Sequence, residues 1–300
     1  MSSLCLGWRC DGETIGFVPT MGALHEGHLS LARAARQGCD RFVASIFVNP
    51  TQFGQNEDLG QYPRPFERDC EMLRDAGCDI LFAPSTVDIY GPRMSTHVGG
   101  QAVSARQNTR EQNAPQQDSA RAVSTIVEVT HLSAIWEGAM RPGHLRGVAT
   151  VVAILFNIVR PDRAYFGEKD YQQLKVIEHM VRDLHFDLEI VPVETVREAD
   201  GLALSSRNAY LARDEREACA VLSQALKKGV ATARGGERDV AKIEMEMQAI
   251  CDSQPLVKVQ YLAIVDAETL APLQQLDGRA ARILVAARAG KTRLIDNMAI

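Results

Sequence analysis

The 300-residue sequence has no uninterrupted apolar run of about 20 residues, the length a helix needs to cross a bilayer. It also has no C-x-x-C pair. Its seven cysteines, at positions 5, 10, 39, 70, 78, 219 and 251, are odd in number and scattered, which argues against both a disulfide framework and a zinc ribbon. Basic charge is in deficit: 33 Lys and Arg against 38 Asp and Glu give a formal net charge of −5. A chain held to nucleic acid by counterion release usually carries a basic excess, so no nucleic-acid partner is expected. The opening residues MSSLCLGWRCDGET lack the basic, apolar, small-residue order of a secretory leader. The expected compartment is therefore the reducing cytoplasm, with no membrane partner. Internal repeats are absent. What is present is ordinary globular composition, 46% hydrophobic and 24% charged, with length enough for two buried cores.

Apolar strand-like runs alternate with helical patterns through the N-terminal half, the mark of a parallel α/β fold. Strands are predicted at 15–18, 41–48, 79–83, 163–166 and 188–193, and helices at 28–36, 66–76, 148–159 and 171–184. The 41–48 run RFVASIFV is nearly continuous in apolar residues, as expected for a strand covered on both faces. Right-handed crossovers turn this order into one doubly wound, Rossmann-like sheet. The stretch 101–124 (QAVSARQNTREQNAPQQDSARAVS) is polar and poor in large apolar residues, and reads as a mobile surface insertion. Beyond a loop after Val193, helices at 213–234 and 237–252 and short strands at 259–265, 283–287 and 292–295 predict a smaller α+β domain. The expected division is 1–193 and 194–300.

Four polar segments fall where chemistry is expected. Residues 19–28, PTMGALHEGH, lie between a strand and a helix, where free N–H groups and the helix dipole accept phosphate. His25 and His28 add donors there, and Gly27 lets phosphate approach the backbone. An i, i+3 metal-ligand pair, or one core and one surface histidine, explains the same two residues. A zincin helix does not, because its histidines sit four apart. At the end of the 41–48 strand, Asn49 and Gln52 place two neutral amides suited to a small polar substrate, although Asn-Pro is also ordinary turn chemistry. In 166–173, FGEKDYQQ, Lys169 suits a phosphate, Asp170 ribose hydroxyls, and Gln173 the same crevice. An Asp N-cap on a solvated helix start fits equally. Residues 204–207, LSSR, offer two hydroxyls and a guanidinium for a polyphosphate, or simply a helix N-cap followed by a surface Arg.

Taken in order, PTMGALHEGH at 19–28, SIFVNPTQF at 45–53, YPR at 62–64, EGAMRPGHLRGV at 137–148, FGEKDYQQL at 166–174, DGLALSSRNAYL at 200–211 and KTRLIDN at 291–297 resemble the motifs of the pantoate–β-alanine ligases, in the HIGH-type nucleotidyltransferase superfamily. The resemblance covers nearly the whole chain outside 101–124. It implies an ATP-dependent condensation of pantoate with β-alanine through a pantoyl adenylate, releasing pyrophosphate and then AMP. By the same resemblance, Met21, Gly22, Ala23, Leu24, His25, Glu26, Gly27 and His28 cover the nucleotide, with His25 and His28 on its phosphates and His28 the proton donor. Gly167, Glu168, Lys169 and Asp170, then Val196, Leu204, Ser205, Ser206 and Arg207, complete the ATP site, with Lys169 countering phosphate charge. Gln52 and Gln173 hold pantoate, aided by Asn49, and Gln52 also borders the β-alanine site. The resemblance further implies magnesium on the ATP phosphates, with Asp69 as a nearby aid, and a homodimer.

Three departures from the family pattern stand out: Thr51 where Met is usual, the 101–124 insertion, and about ten fewer residues before the first motif, leaving only the tail of a helix at 4–9. A nucleotidyltransferase of the same superfamily would share His25 and His28, but the two glutamines and the LSSRN loop favour the ligase. A non-catalytic nucleotide-binding scaffold would not need every one of these polar residues. A thiol-redox role has no paired cysteine to support it.

Overall fold

Short apolar runs form the first sheet, nearly continuously buried in its three central strands and only partly buried in the two at its edges. The structure, a computed structural model, describes residues 1–54, 57–91 and 124–300. The stretch 101–124 lies outside them except for Ser124. Strands β1 (Ile15–Thr20), β2 (Arg41–Ile46), β3 (Ile80–Phe82), β4 (Arg163–Gly167) and β5 (Glu189–Val193) form a five-stranded sheet in the order β3-β2-β1-β4-β5. β1 runs parallel to β2, pairing Ile15 with Arg41 through Thr20 with Ile46, and parallel to β4 on its other side. The strand order reverses between β1 and β4, so the carboxyl ends of these two strands mark the expected ligand crevice of a doubly wound sheet.

Helices α1 (Ser2–Cys10), α2 (Glu26–Gly38), α3 (Phe66–Asp75), α4 (Thr86–Tyr90), α5 (Glu137–Met140), α6 (His144–Val159) and α7 (Tyr171–Asp183) accompany this sheet. α6 is apolar on nearly all sides and correspondingly buried, which marks it as a core element rather than a surface one. Its Phe156 meets Phe17 of β1 edge to face at 6.4 Å, and both rings are fully buried. α6 begins four residues before the predicted 148, because Gly143 adopts φ +84 and turns the chain into a helix opened by His144. α4 is a five-residue helix that periodicity does not announce. A reciprocal capping box between Ser85 and Asp88 secures it.

The C-terminal part forms its own core. Helices α8 (Arg213–Ala218), α9 (Ala220–Arg234) and α10 (Val240–Asp252) cover an antiparallel sheet β6-β7-β8, made of Val257–Asp266, Ala281–Ala289 and Thr292–Ala299. Leu226, Ile243, Met247 and Ile283 are completely buried in it. The predicted single helix over 213–234 is broken at Cys219, where the Leu222 N–H bonds the Cys219 carbonyl in a tighter i to i+3 turn. By internal contacts the chain forms two compact units, one of Met1–Gly22, Ala35–Tyr165 and Val176–Ile190, the other of Ala23–Ala34, Phe166–Lys175 and Val191–Ile300. Among the described residues no helix is long and apolar enough to cross a membrane.

Candidate active site

The carboxyl end of β1 is closed by Thr20, whose hydroxyl donates to the Ser45 carbonyl (2.7 Å) and accepts from the Gly22 N–H (3.1 Å). The following loop delivers His25 to the start of α2, where the His25 carbonyl accepts from the N–H groups of His28 and Leu29. His28 is thus inside the first helical turn. Two backbone bonds then assign both ring tautomers. His25 Nδ1 accepts from the Gly27 N–H at 3.1 Å, and His28 Nδ1 accepts from the His25 N–H at 3.3 Å. Each neutral imidazole therefore carries its proton on Nε2. The rings lie 4.2 Å apart, tilted by 47°. A Cβ on Gly27 would come within 2.9 Å of the His25 ring, so a glycine is needed for that ring to fold back over the helix start.

Burial pushes the His25 pKa down to about 4, with Lys169 adding to the effect, and pushes His28 to about 3, helped by His25 and Lys169. Both rings are neutral donors at neutral pH in the free protein. Lys169 and Asp170 belong to a 3₁₀ turn, Glu168–Asp170, that joins β4 to α7, and the Lys169 ammonium lies 3.7 Å from the Asp170 carboxylate. These two charges and the two histidines form one electrostatic group within the second unit. Two neighbours in the predicted nucleotide set are already engaged: Glu26 is exposed and ion-paired with Arg33, and the Glu168 carboxylate accepts from Arg282 at 2.8 Å. Also in the second unit, Leu204 N–H bonds the Val196 carbonyl, and Ser205 caps the 3₁₀ turn Ser206–Tyr210 by accepting from the Arg207 N–H.

The amide pair at the end of β2 is built differently. Asn49 is 1% exposed and saturated: its Nδ2 donates to Gln52 Oε1 (2.9 Å) and to the Gly147 carbonyl (3.2 Å), while its Oδ1 accepts from Tyr90 (2.8 Å) and from Thr51. Gln52 is left with Nε2 hydrogens that meet no acceptor among the described residues. Its backbone carbonyl accepts from His144 Nδ1 at 2.8 Å, and Arg141, gripped bidentately by Glu57 at 2.6 Å, stands beside the same carbonyl. Burial raises the Glu57 pKa, yet the Arg141 fork outweighs it and holds the carboxyl below its usual value. Gly147 permits this approach, since a Cβ there would lie 2.4 Å from the Thr51 carbonyl. Thr51 also donates its hydroxyl to Asn49 Oδ1 and meets Tyr90, so the departure at this position joins the network that holds Gln52.

A cavity of about 380 Å³ in the first unit is lined by Met21, Gly22, Phe47, Arg64 and the almost fully buried Asp69, among others. Gln173, in the first turn of α7, is half-buried, and its carboxamide makes no hydrogen bond among the described residues. Gln52 and Gln173 belong to different compact units. Motif reading passes over Tyr90, Arg141, Glu57, His144, Arg282 and Asn297. The segments EGAMRPGH and KTRLIDN hold three of these six, but nothing in either segment says which distant atoms they meet.

The family model described as pantoate-beta-alanine ligase matches residues 1–299. A pantothenate synthetase from Rubrobacter xylanophilus is 54% identical over 293 residues, covering 98% of this chain and 93% of that protein. One from Moorella thermoacetica is 48% identical, covering 97% and 93%. The crystal structure of pantothenate synthetase from Thermus thermophilus superposes with a TM-score of 0.82 at 46% identity, covering 98% of this chain and 96% of that one. A pantoate-beta-alanine ligase from Francisella tularensis, solved in complex with beta-gamma ATP and beta-alanine, has a TM-score of 0.70 at 32% identity, covering 96% and 90%. With a whole-chain family match, close relatives and matching folds in agreement, the chain belongs to the pantoate–β-alanine ligase family of enzymes.

Proposed function

We propose that this enzyme condenses pantoate with β-alanine at the expense of ATP, by way of a pantoyl adenylate. The observation that carries this reading is the pair of backbone-tethered, neutral imidazoles at the start of α2, each left with its proton on Nε2 and each within the electrostatic reach of Lys169. In the first step a pantoate carboxylate oxygen attacks the α-phosphorus of ATP and pyrophosphate leaves. In the second, the β-alanine amine attacks the acyl carbon, the acyl–phosphate bond breaks, and AMP leaves. An in-line displacement of this kind calls for positioning and charge stabilisation rather than a protein nucleophile. His25 and His28 donate to phosphate oxygens. An approaching anionic phosphate raises the low His28 pKa, which suits it to pass a proton to the leaving group. Lys169 counters the charge on the phosphates and Asp170 receives a ribose hydroxyl. Met21 to Gly27, Gly167, Glu168, Val196 and Leu204 to Arg207 frame the rest of the nucleotide. Gln52 uses its unpaired Nε2 hydrogens on pantoate, with Gln173 as a second carboxamide for the same substrate, and borders the β-alanine site. Asn49 holds the Gln52 carboxamide in place.

Magnesium fits the donor set in one way. No group of three or more His, Cys, Asp or Glu side chains able to hold a metal occurs among the described residues, while the buried Asp69 carboxylate lines the cavity beside Met21. That suits an ion carried largely by phosphate oxygens with a single protein carboxylate. Bound there, magnesium supplies charge neutralisation to the departing pyrophosphate. We assign residues 1–193 to the domain for nucleotide and pantoate and 194–300 to a smaller lid domain, in a cytoplasmic homodimer. The test is pyrophosphate exchange: label from pyrophosphate should enter ATP only when pantoate is present and without any need for β-alanine. Exchange that ignores pantoate overturns the reading.

A further inference from the structure

Asn297, near the end of β8, has no chemistry of its own to offer a nucleotide, yet every polar atom of its side chain is committed. Its Nδ2 donates to two successive carbonyls of the 3₁₀ turn, Glu168 at 2.9 Å and Lys169 at 2.8 Å. Its Oδ1 accepts from Arg282 Nε at 2.7 Å. This donor and acceptor pattern leaves only one orientation for the amide. Arg282 in turn lies 3.8 Å over the Tyr171 ring and bonds Glu168 Oε2 at 2.8 Å, so the turn is held from its backbone and its side chain at once. The preceding residue faces the other way along the strand. Asp296, 3% exposed, takes Arg197 in a two-pronged pair at 2.6 and 2.9 Å. Arg197 donates as well to the carbonyls of Gly201 and Asn297 and forms the bridge to Ala203. It therefore braces the hairpin that presents Val196 and leads into Leu204 to Arg207.

We propose that Asn297 is a positioning residue for the nucleotide site, acting through the Lys169 turn, and that Asp296 does the same for the 196–207 loop through Arg197, so that two adjacent residues of one strand set both phosphate-facing segments. The proposal rests on the assignment of Lys169 to the ATP phosphates. A turn of three residues has little hydrogen bonding of its own, and Lys169 swings on a flexible four-carbon stem. Fixing the two carbonyls fixes the peptide planes from which that stem departs, and so lowers the entropy lost when the ammonium meets phosphate.

The experiment substitutes Asn297→Asp, which keeps size and the acceptor toward Arg282 but sets an oxygen against two carbonyls. Asn297→Ser, which retains one donor, serves as a milder second variant should the first fail to fold. Both are read in pantoate-dependent pyrophosphate exchange with circular dichroism as the fold check. The expected result is a tenfold or greater fall in kcat/KM for ATP with Asn297→Asp and a smaller fall with Asn297→Ser, with the KM for pantoate unchanged in both. In a Lys169→Met background the same substitutions should change the residual exchange less than twofold. A correctly folded Asn297 variant with ATP parameters within twofold of the parent, or an effect of undiminished size in the Lys169→Met background, overturns the proposal. Pantoate-independent exchange by the parent protein would instead refute the assigned reaction.

Discussion

Asn49→Asp is an isosteric change whose consequence follows from one amide. At 1% exposure Asn49 gives both Nδ2 hydrogens away, to Gln52 Oε1 at 2.9 Å and to the Gly147 carbonyl at 3.2 Å. An aspartic acid, charged or neutral, cannot supply two donors on that side. Gln52 can answer only by turning its carboxamide over, so that Nε2 donates to the new oxygen and Oε1 faces the substrate. The group offered to pantoate then changes from donor to acceptor. Losing such a bond and leaving opposed acceptors costs about 1.5–3 kcal/mol, a rise in the KM for pantoate of about 10- to 150-fold. The Gly147 carbonyl also loses its partner, for a further loss in stability of about 1–3 kcal/mol. Steady-state kinetics with pantoate and ATP varied in turn, with urea unfolding alongside, would measure both. The KM for ATP should hold within threefold. A folded variant whose KM for pantoate stays within threefold of the parent would refute the role given to Gln52 and the network behind it.

His28→Ala should lower pantoate-dependent exchange by at least about 100-fold, the scale of losing a transition-state donor, while the circular dichroism spectrum remains that of the parent. Glu57→Gln removes the charge partner of the mostly buried Arg141 and should destabilise the protein by about 2 kcal/mol in chemical denaturation, with a raised KM for pantoate because the clamp on the Gln52 carbonyl loosens. The buried histidines also set a pH dependence. Burial and the adjacent Arg141 lower His144 to about 4, so between pH 6.5 and 4 the unfolded chain binds more protons than the folded one. Stability is full above about pH 6.5 and falls as pH drops, by about 1.5 kcal/mol for His144 alone between pH 6.5 and 5. A His144→Gln variant should show a shallower fall of Tm over that window. Chelating magnesium should abolish exchange yet leave the Tm of the nucleotide-free protein unchanged, since one protein ligand holds the ion too weakly to stabilise the fold.

The central strands of the first sheet, β1, β2 and β4, can be read from the sequence because burial on both faces makes them near-continuous apolar runs, as in Phe42, Val43 and Ala44. The same physics blurs their ends: β2 stops at Ile46, two residues before the apolar run does, where the Phe47 N–H makes the last ladder bond to the Thr20 carbonyl of β1. Polar segments at strand ends are legible as places where backbone N–H groups accumulate, and the structure gathers His25, His28, Lys169 and Asp170 accordingly. Their supporting residues are not legible. Asn297 meets Lys169 across 128 positions, Gln52 meets His144 across 92, and Asn49 meets Tyr90 across 41. Contacts of that range depend on how whole elements come together, and neither periodicity nor propensity records it. Asn49 illustrates the limit from the other side: its residue type and its place at a strand end are legible, but the five bonds that tie it to Gln52, Gly147, Thr51 and Tyr90 are not.

The account stands on an acyl adenylate formed from pantoate, and oxygen tracing tests it directly. Pantoate carrying ¹⁸O in both carboxylate oxygens, turned over with ATP and β-alanine, should transfer one labelled oxygen to the phosphate of AMP and leave pyrophosphate unlabelled. Label in inorganic phosphate or pyrophosphate, or unlabelled AMP alongside pantothenate, would contradict it.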